Sequence, residues 1–482
     1  MTDPLEIPQP MMATPPRRGH PLMTALAWLV ILASCAHVIW DANRLPTEAE
    51  KAAEPLQLSL AAELTAKMCV GLGDWSPEAR NMILDQARAL DDEGRLGALA
   101  KAVVAAELTG LDDARAELDA FRADLPNETH TDRTQAYSEM LDVLERLYST
   151  PEDASATAPA ALTADEKSLL ELHLGWVGRL APLVRPLAEG SSERDALLAP
   201  LRKMPLVMLA FACWGGLCLL GGLAAMITLL VLSLNGRLRH GFGPACGRGG
   251  IYAEVFAVWI AIFVGGKLIA ERFQLGGLTV SLALTFGGLI AALGWGLFRG
   301  VAWRDMRQDL GLHTGRGFFT EVAAGLLTYC MAIPLLAVAL IITLGLAALQ
   351  RHITPDAPPP GHPVQQFVVG GDWRLILQVM ILAAVIAPFV EETVFRGALY
   401  RHLRDATGRI GLILSFIVSA GVSSLLFAAI HPQGWPFIPV LASLALTFCF
   451  AREWRGSVLP GMVAHGVNNF VIMTLNVFLL AS

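Results

Sequence analysis

The sequence predicts an all-α protein, a polytopic bundle of about nine transmembrane helices with a helical soluble insert after the first span. The 482-residue chain is 54% hydrophobic and only 16% charged, and its mean hydropathy of +0.50 is too high for one soluble domain. Its charge is uneven, because residues 41–203 hold 30 Asp and Glu against 17 Lys and Arg, whereas the remainder holds 13 acids against 19 bases. An acidic insert within a mildly basic membrane protein follows from this pattern.

The composition also excludes several classes of protein. The seven cysteines are scattered and show neither a CxxC motif nor metal-finger spacing, so the sequence indicates no disulfide framework. Because the basic residues do not cluster on one face, nucleic acid is not an expected partner.

The first forty residues divide into a polar segment and an apolar one. Residues 1–21 are rich in proline and are predicted to be disordered. Residues 22–40 are about long enough to cross a bilayer of roughly 30 Å and are predicted to form a transmembrane anchor. A cleavable signal peptide is the alternative, because small residues occupy positions 33–36.

Residues 41–203 are predicted to form an acidic, helical, extracytoplasmic domain. Apolar residues recur there at three-to-four spacing in six segments, 61–70, 77–89, 95–109, 112–123, 131–148 and 164–189. The stretch 105–121 resembles one helix-turn-helix of a tetratricopeptide-like array, but no repeat period recurs.

Residues 204–482 are predicted to form the main transmembrane domain. Its spans lie near 205–234, 251–271, 277–298, 318–349, 374–395, 411–430, 437–451 and 457–480. An N-terminus on the cytoplasmic side places 15 Lys and Arg inside and 8 outside, which agrees with the positive-inside rule and puts the acidic insert outside.

Two adjacent carboxylates, Glu391 and Glu392, interrupt the sixth span. Acidic residues at such depth are costly and usually face a cavity or a partner, although a helix-end or structural role is the more common one for an isolated Glu. Glu392 and Arg396 share one helix face and can neutralise each other. Glu391 lies about 100° further round, so it is left available for chemistry.

Two further polar pairs follow at the same four-residue spacing. Phe427 and His431 share a face near the end of the seventh span, and His465 and Asn469 share a face of the last span. The motifs EETVFRG, FAAIH and HGVNN occur in this order on successive apolar segments. They resemble the CPBP family of intramembrane proteases, which includes CAAX-processing endopeptidases of type II and bacteriocin-processing proteins. The core motifs fall within residues 374–480.

The resemblance implies an endopeptidase in which carboxylate and imidazole groups activate water. Glu391 would be the general base, and His431 would hold or polarise the water. His465 and Asn469 would donate hydrogen bonds to the oxyanion. Glu392, Arg396 and Phe427 would give structural support.

Zinc is the alternative to this metal-free chemistry, and members of the family are commonly labelled metalloproteases. Glu391, His431 and His465 would then form a two-His, one-carboxylate site with one open position. Asn469 favours the metal-free version, because a carboxamide is a poor zinc ligand and a good oxyanion donor.

The predicted span limits conflict with a shared site. They place His431 near the outer face, whereas Glu391 and His465 lie in the inner half of the membrane. We therefore expect the seventh helix either to begin later, with residues 409–417 at the inner interface, or to break near Gly421.

The expected partners are the lipid bilayer and a membrane protein or peptide substrate, with a further protein partner for residues 41–203. The expected location is the bacterial cytoplasmic membrane. A non-enzymatic immunity or scaffold protein of the same fold is the main alternative, and a transporter that uses Glu391 in a proton relay is the second.

Overall fold

Every regular element in the described part of the chain is helical, which confirms the all-α class. The structure, a computed structural model, describes residues 19–45, 47, 55–127, 131–149, 162–238, 240–354 and 373–480. The segment predicted to be disordered, 1–21, lies outside these residues apart from its last three positions.

The described residues fall into two units, each with its own apolar core. We call the first the membrane unit, and it takes the described residues of Met1–Leu45, Leu217–Pro363 and Trp373–Met473. We call the second the insert unit, and it takes those of Pro46–Gly216, Val364–Asp372 and Thr474–Ser482.

The first helix, α1, spans Pro21–Asn43 and is long and apolar enough to cross a membrane. One of its faces is buried in the membrane unit through residues at four-residue spacing, Ala27, Ile31 and Cys35. Next to Ala27, Trp28 Nε1 donates a 2.9 Å hydrogen bond to His402 Nε2. A polar contact of this kind fixes the rotation of α1 about its axis.

The described residues of the insert unit form nine α-helices. They are α2 Leu60–Trp75, α3 Arg80–Gln86, α4 Gly94–Leu108, α5 Leu111–Asp124, α6 Thr131–Tyr148, α7 Ala164–Leu174, α8 Trp176–Leu180, α9 Arg185–Ala188 and α10 Ser192–Arg202. Helices α4 and α5 pack together across Gly110, whose φ of 121° allows the sharp turn. The predicted segment 164–189 is not one helix, because Gly175 ends α7 at φ 56° and two prolines interrupt the chain after it.

Buried charges in the insert unit are paired. Lys67 is fully buried, with Nζ 3.1 Å from Glu63 Oε1 and 5.8 Å from the centre of the Trp176 ring. Burial lowers the pKa of Lys67, and the Glu63 carboxylate offsets part of that shift. Glu107 likewise accepts hydrogen bonds from the Arg194 guanidinium and, at 2.7 Å, from Arg185 N.

The remaining helices form the apolar bundle. They are α11 Met204–Leu234, α12 Gly249–Arg272, α13 Leu278–Phe298, α14 Trp303–Leu310, α15 Phe318–Ile353, α16 Trp373–Ile410, α17 Leu412–Ala429, α18 Trp435–Arg455 and α19 Leu459–Leu480. Within the described residues, eight helical stretches are long and apolar enough to cross a membrane. These match the first eight predicted spans, and the ninth predicted span corresponds to α19.

The predicted sixth span, 374–395, is shorter than the helix that contains it. Helix α16 runs for 38 residues, from Trp373 to Ile410, and α17 then begins at Leu412 and continues through Gly421 without a break. The proposed break near Gly421 is therefore wrong, whereas the placement of residues 409–417 at the inner interface stays a prediction. The distance from Glu391 to the end of α16 is about 28 Å at 1.5 Å per residue, and α17 returns over about 27 Å. His431 therefore returns to the level of Glu391.

Paired charges allow α16 to extend this far. Arg401 Nη2 lies 3.2 Å from Asp405 Oδ1, and the Arg404 guanidinium bonds Glu453 of α18. Tyr400 also donates a 2.7 Å hydrogen bond to Glu453 Oε1.

Helices α11 and α15 approach closely at a pair of glycines with different surroundings. A Cβ added at Gly222 would lie 2.0 Å from Cys330 O, whereas one added at Gly221 would meet open space. We expect Gly222→Ala to destabilise the protein by about 1–3 kcal/mol, because the two helices must separate to admit the methyl group. The thermal unfolding midpoint in detergent micelles should therefore fall.

Gly221→Ala is the matched control. It should leave the midpoint unchanged or raise it slightly, because alanine favours a helix over glycine. Equal midpoints for the two variants would contradict the close approach of α11 and α15.

Candidate active site

Glu391 and Glu392 lie between two π-helical segments of α16. The segments are Leu382–Ile386 and Thr393–Leu399, and the intervening turn of α-helix ends at Glu392. A π-helical turn leaves backbone carbonyl groups out of the regular hydrogen-bond ladder and is frequent at functional sites. The two carboxylates therefore lie where α16 departs from regular geometry.

Glu392 is fully buried and is paired with Arg396. Arg396 Nη1 donates a 2.9 Å hydrogen bond to Glu392 Oε1, as the four-residue spacing predicts. The guanidinium also donates to Ala445 O at 3.2 Å and lies over the rings of Phe427 and Phe448, 4.5 Å and 5.1 Å from their centres. Hydrogen bonds and cation–π contacts thus hold Arg396 in place.

His465 lies between the two carboxylates. Its Nδ1 is 3.2 Å from Glu392 Oε1, and its Nε2 is 3.8 Å from Glu391 Oε2. The imidazole is buried and stacks on Phe448 with ring centres 5.2 Å apart. When the imidazole is protonated, the four groups Arg396, Glu392, His465 and Glu391 carry no net charge, which suits an apolar bundle.

Glu391 differs from Glu392 in its exposure. Its side chain is 24% exposed, whereas that of Glu392 is fully buried. Each of the two carboxylates keeps one buried oxygen, Oε2, that accepts no hydrogen bond from the described residues. Glu391 is therefore the carboxylate of the pair that a substrate or a water molecule can reach.

His431 follows the end of α17 and has a defined tautomer when it is neutral. Its Nδ1 lies 2.6 Å from Phe427 O, and because a carbonyl only accepts, Nδ1 carries the hydrogen and Nε2 presents a lone pair. The Phe427 ring packs against His431 with centres 4.5 Å apart and against His465 with centres 5.8 Å apart. One aromatic ring thus contacts both imidazoles.

Asn469 is anchored to the first π-helical segment of α16. Its Nδ2 donates a 2.9 Å hydrogen bond to Ala383 O, and its Oδ1 accepts one of 3.3 Å from Asn468 Nδ2. A Cβ added at Gly466 would lie 2.5 Å from Ala384 O, so only glycine allows α19 to approach this segment. The second Nδ2 hydrogen of Asn469 is not used in these contacts.

The structure thus brings Glu391, Glu392, Arg396 and His465 into one network, and Phe427 joins His431 to it. Asn469 lies one turn beyond His465 on α19. Sequence reasoning missed Asn468, which is buried and three residues after His465, on nearly the same helix face. It also missed the π-helical segments and the need for Gly466, neither of which has a local sequence signal.

The donors present do not fit a zinc site. Within the ranges that the structure describes, no three His, Cys, Asp or Glu side chains form a group that could hold a metal ion. Because no such group is present among them, no catalytic step below is assigned to a metal.

Replacing Arg396 should destabilise the protein strongly. In Arg396→Met, Glu392 becomes a buried charge without its partner, and loss of one member of such a pair costs about 3–5 kcal/mol. We expect a clearly lower thermal unfolding midpoint in detergent micelles, and partial recovery in the double variant Glu392→Gln/Arg396→Met, which removes both charges.

Arg409→Met is the control, because Arg409 is an exposed arginine on the same helix. It should leave the midpoint nearly unchanged. A small effect of Arg396→Met, equal to that of Arg409→Met, would show that the Glu392–Arg396 pair does not carry this stability.

Comparison with known proteins agrees with the site. Residues 373–471 match a family model described as Rce1-like, type II CAAX prenyl endopeptidase Rce1-like. The match covers about a fifth of the chain and contains all three motifs. No curated protein and no solved structure is similar enough to this chain to count as a match. The resemblance found in the sequence is thereby confirmed: this multi-pass membrane protein carries, over residues 373–471, a domain similar to the CAAX-protease family.

Proposed function

We propose that this protein is an intramembrane endopeptidase that hydrolyses a peptide bond in a membrane-associated protein or peptide. The observation that carries the proposal is the environment of Glu391. Its side chain is partly exposed, and its Oε2 lies 3.8 Å from His465 Nε2, in a domain similar to a protease family. An acidic residue within an apolar bundle is costly and usually faces a cavity or a partner.

Glu391 acts as the general base in this proposal. Its carboxylate removes a proton from water, and the water oxygen attacks the carbonyl carbon of the substrate. His431 accepts the second water hydrogen at Nε2 and so orients the attacking oxygen. When the tetrahedral intermediate collapses, Glu391 returns its proton to the leaving amine, so the carboxylate is regenerated in each cycle.

His465 and Asn469 stabilise the oxyanion in this proposal. A protonated His465 donates from Nε2, and Asn469 donates the Nδ2 hydrogen that Ala383 O does not use. Each such donor is typically worth about 3 kcal/mol in a site without bulk water. Glu392 takes no direct part, because it neutralises Arg396 and holds Nδ1 of His465.

The substrate class follows from the location of the site within a membrane protein. We propose a membrane-proximal peptide segment or a bacteriocin-like leader as substrate, and the bacterial cytoplasmic membrane as the location. The insert unit, placed outside by the distribution of Lys and Arg, would bind substrate or a protein partner. Its excess of acidic residues favours a basic partner.

Replacing Glu391 by Gln should abolish cleavage. The change keeps the shape of the side chain but removes the base, and we expect the cleavage rate of membrane-proximal peptides in liposomes to fall by about 10²-fold or more. Glu254→Gln is the matched control, because Glu254 is also a buried glutamate of the membrane unit but is paired with Arg299 outside the site.

Glu254→Gln should retain cleavage once rates are normalised to folded protein. Cleavage by Glu391→Gln at the parental rate would refute the assignment of the base. An absence of Glu391-dependent cleavage of any membrane-proximal peptide would favour the alternative, a non-enzymatic scaffold of the same fold.

The metal-free mechanism makes a separate prediction. Purified, active protein should contain much less than one equivalent of zinc by elemental mass spectrometry, and treatment with a strong chelator should leave the cleavage rate unchanged. Stoichiometric zinc, together with activity that a chelator removes and zinc restores, would replace this mechanism by the two-His, one-carboxylate zinc site.

A further inference from the structure

The loop that carries His431 leads directly into the N-terminus of α18. After His431, the chain turns at Gly434, whose φ of 81° lies in the left-handed region that favours glycine. The first turn of α18, Trp435–Phe437, is a 3₁₀-helix. The position of His431 therefore depends on what holds this turn.

The N-terminus of α18 has no cap of its own. Gly434 occupies the cap position and has no side chain to accept a hydrogen bond from the first backbone N–H groups. Asn43, the last residue of α1, supplies one from outside: Asn43 Oδ1 accepts a 3.1 Å hydrogen bond from Trp435 N. Asn43 thus caps α18 from a different helix.

The Asn43 carboxamide is itself oriented. Its Nδ2 donates a 2.6 Å hydrogen bond to Ile39 O, which turns Oδ1 away from α1 and towards Trp435. A Cβ added at Gly434 would lie 3.5 Å from Asn43 Oδ1 and 3.8 Å from Ala42 O. A methyl group at Gly434 would therefore just fill the space between the turn and the end of α1.

The end of α1 is also held against the rest of the membrane unit. Lys267 Nζ of α12 lies 3.5 Å from Asp41 Oδ2, two residues before Asn43. Further along α1, Trp28 bonds His402 of α16. Asn43 is thus presented from a helix that is fixed at both ends.

We propose that Asn43 is a positioning residue for His431: by capping α18 it fixes the turn that follows His431, and α1 thereby becomes part of the proteolytic site. This inference rests on the proposed function and deepens it. Asn43 lies far outside residues 373–471, the segment that matches the protease family. The proposal requires that α1 be retained in the mature protein.

The test combines amide hydrogen exchange with cleavage kinetics on the full-length protein in liposomes. In Asn43→Ala, the Trp435 amide loses its acceptor, so we expect exchange over residues 431–437 to become about fivefold faster. We expect kcat for membrane-proximal peptides to fall by a similar factor with little change in KM, because substrate binding does not depend on the orientation of His431.

Two variants make the readout specific. Asn43→Asp keeps an oxygen acceptor for Trp435 N and should restore most of both losses. Asn235→Ala changes an exposed asparagine at the end of another membrane helix, α11, and should alter neither exchange over 431–437 nor kcat.

Unchanged exchange over residues 431–437 in Asn43→Ala would overturn the proposed cap. Faster exchange with an unchanged kcat would overturn its role in positioning His431. If Glu391→Gln cleaves as fast as the parent protein, the proposed function fails. The exchange measurement still tests, independently of cleavage, whether Asn43 caps α18.

Discussion

The buried ion pair between Arg396 and Glu392 is the interaction on which the candidate site depends. A single charge in an apolar bundle is strongly unfavourable, so each of these side chains requires the other. The pair also joins three helices, because Arg396 of α16 bonds Ala445 O of α18 and Glu392 contacts His465 of α19. The geometry of the His465 imidazole is thus tied to the same contacts that make the bundle stable.

The same pair explains how two adjacent glutamates acquire different roles. Residues i and i+1 of a helix point about 100° apart, so only Glu392 can face Arg396. The Glu391 side chain is partly exposed, and its Oε2 lies 3.8 Å from His465 Nε2. His465 lies between the two carboxylates, with Nδ1 towards Glu392 and Nε2 towards Glu391. One carboxylate is therefore fully committed to buried contacts, while the other stays partly exposed.

Local rules predicted much of this arrangement and failed where distant partners decide the structure. Hydropathy located the spans, and four-residue spacing placed Glu392 beside Arg396 and Phe427 against His431. The sixth span was predicted to end at residue 395, before Arg396, Arg401 and Arg404, whereas α16 continues to Ile410. Several of these charges are instead buried beside partners such as Glu453, which is distant in sequence. The π-helical segments were also missed, because they have no local sequence signal; α19 approaches the first of them at Gly466.

The extended α16 also accounts for the long interval between Glu391 and His431. A helix that continues well past the first motif requires an equally long return, and α17 has that length. The return ends at a short turn rather than within a helix, so the backbone groups that follow His431 need an acceptor from elsewhere in the bundle. That acceptor comes from α1, which no motif marks. The three motifs therefore supply the polar side chains of the candidate site, while a helix far away in sequence contributes the hydrogen bond that caps the turn after His431.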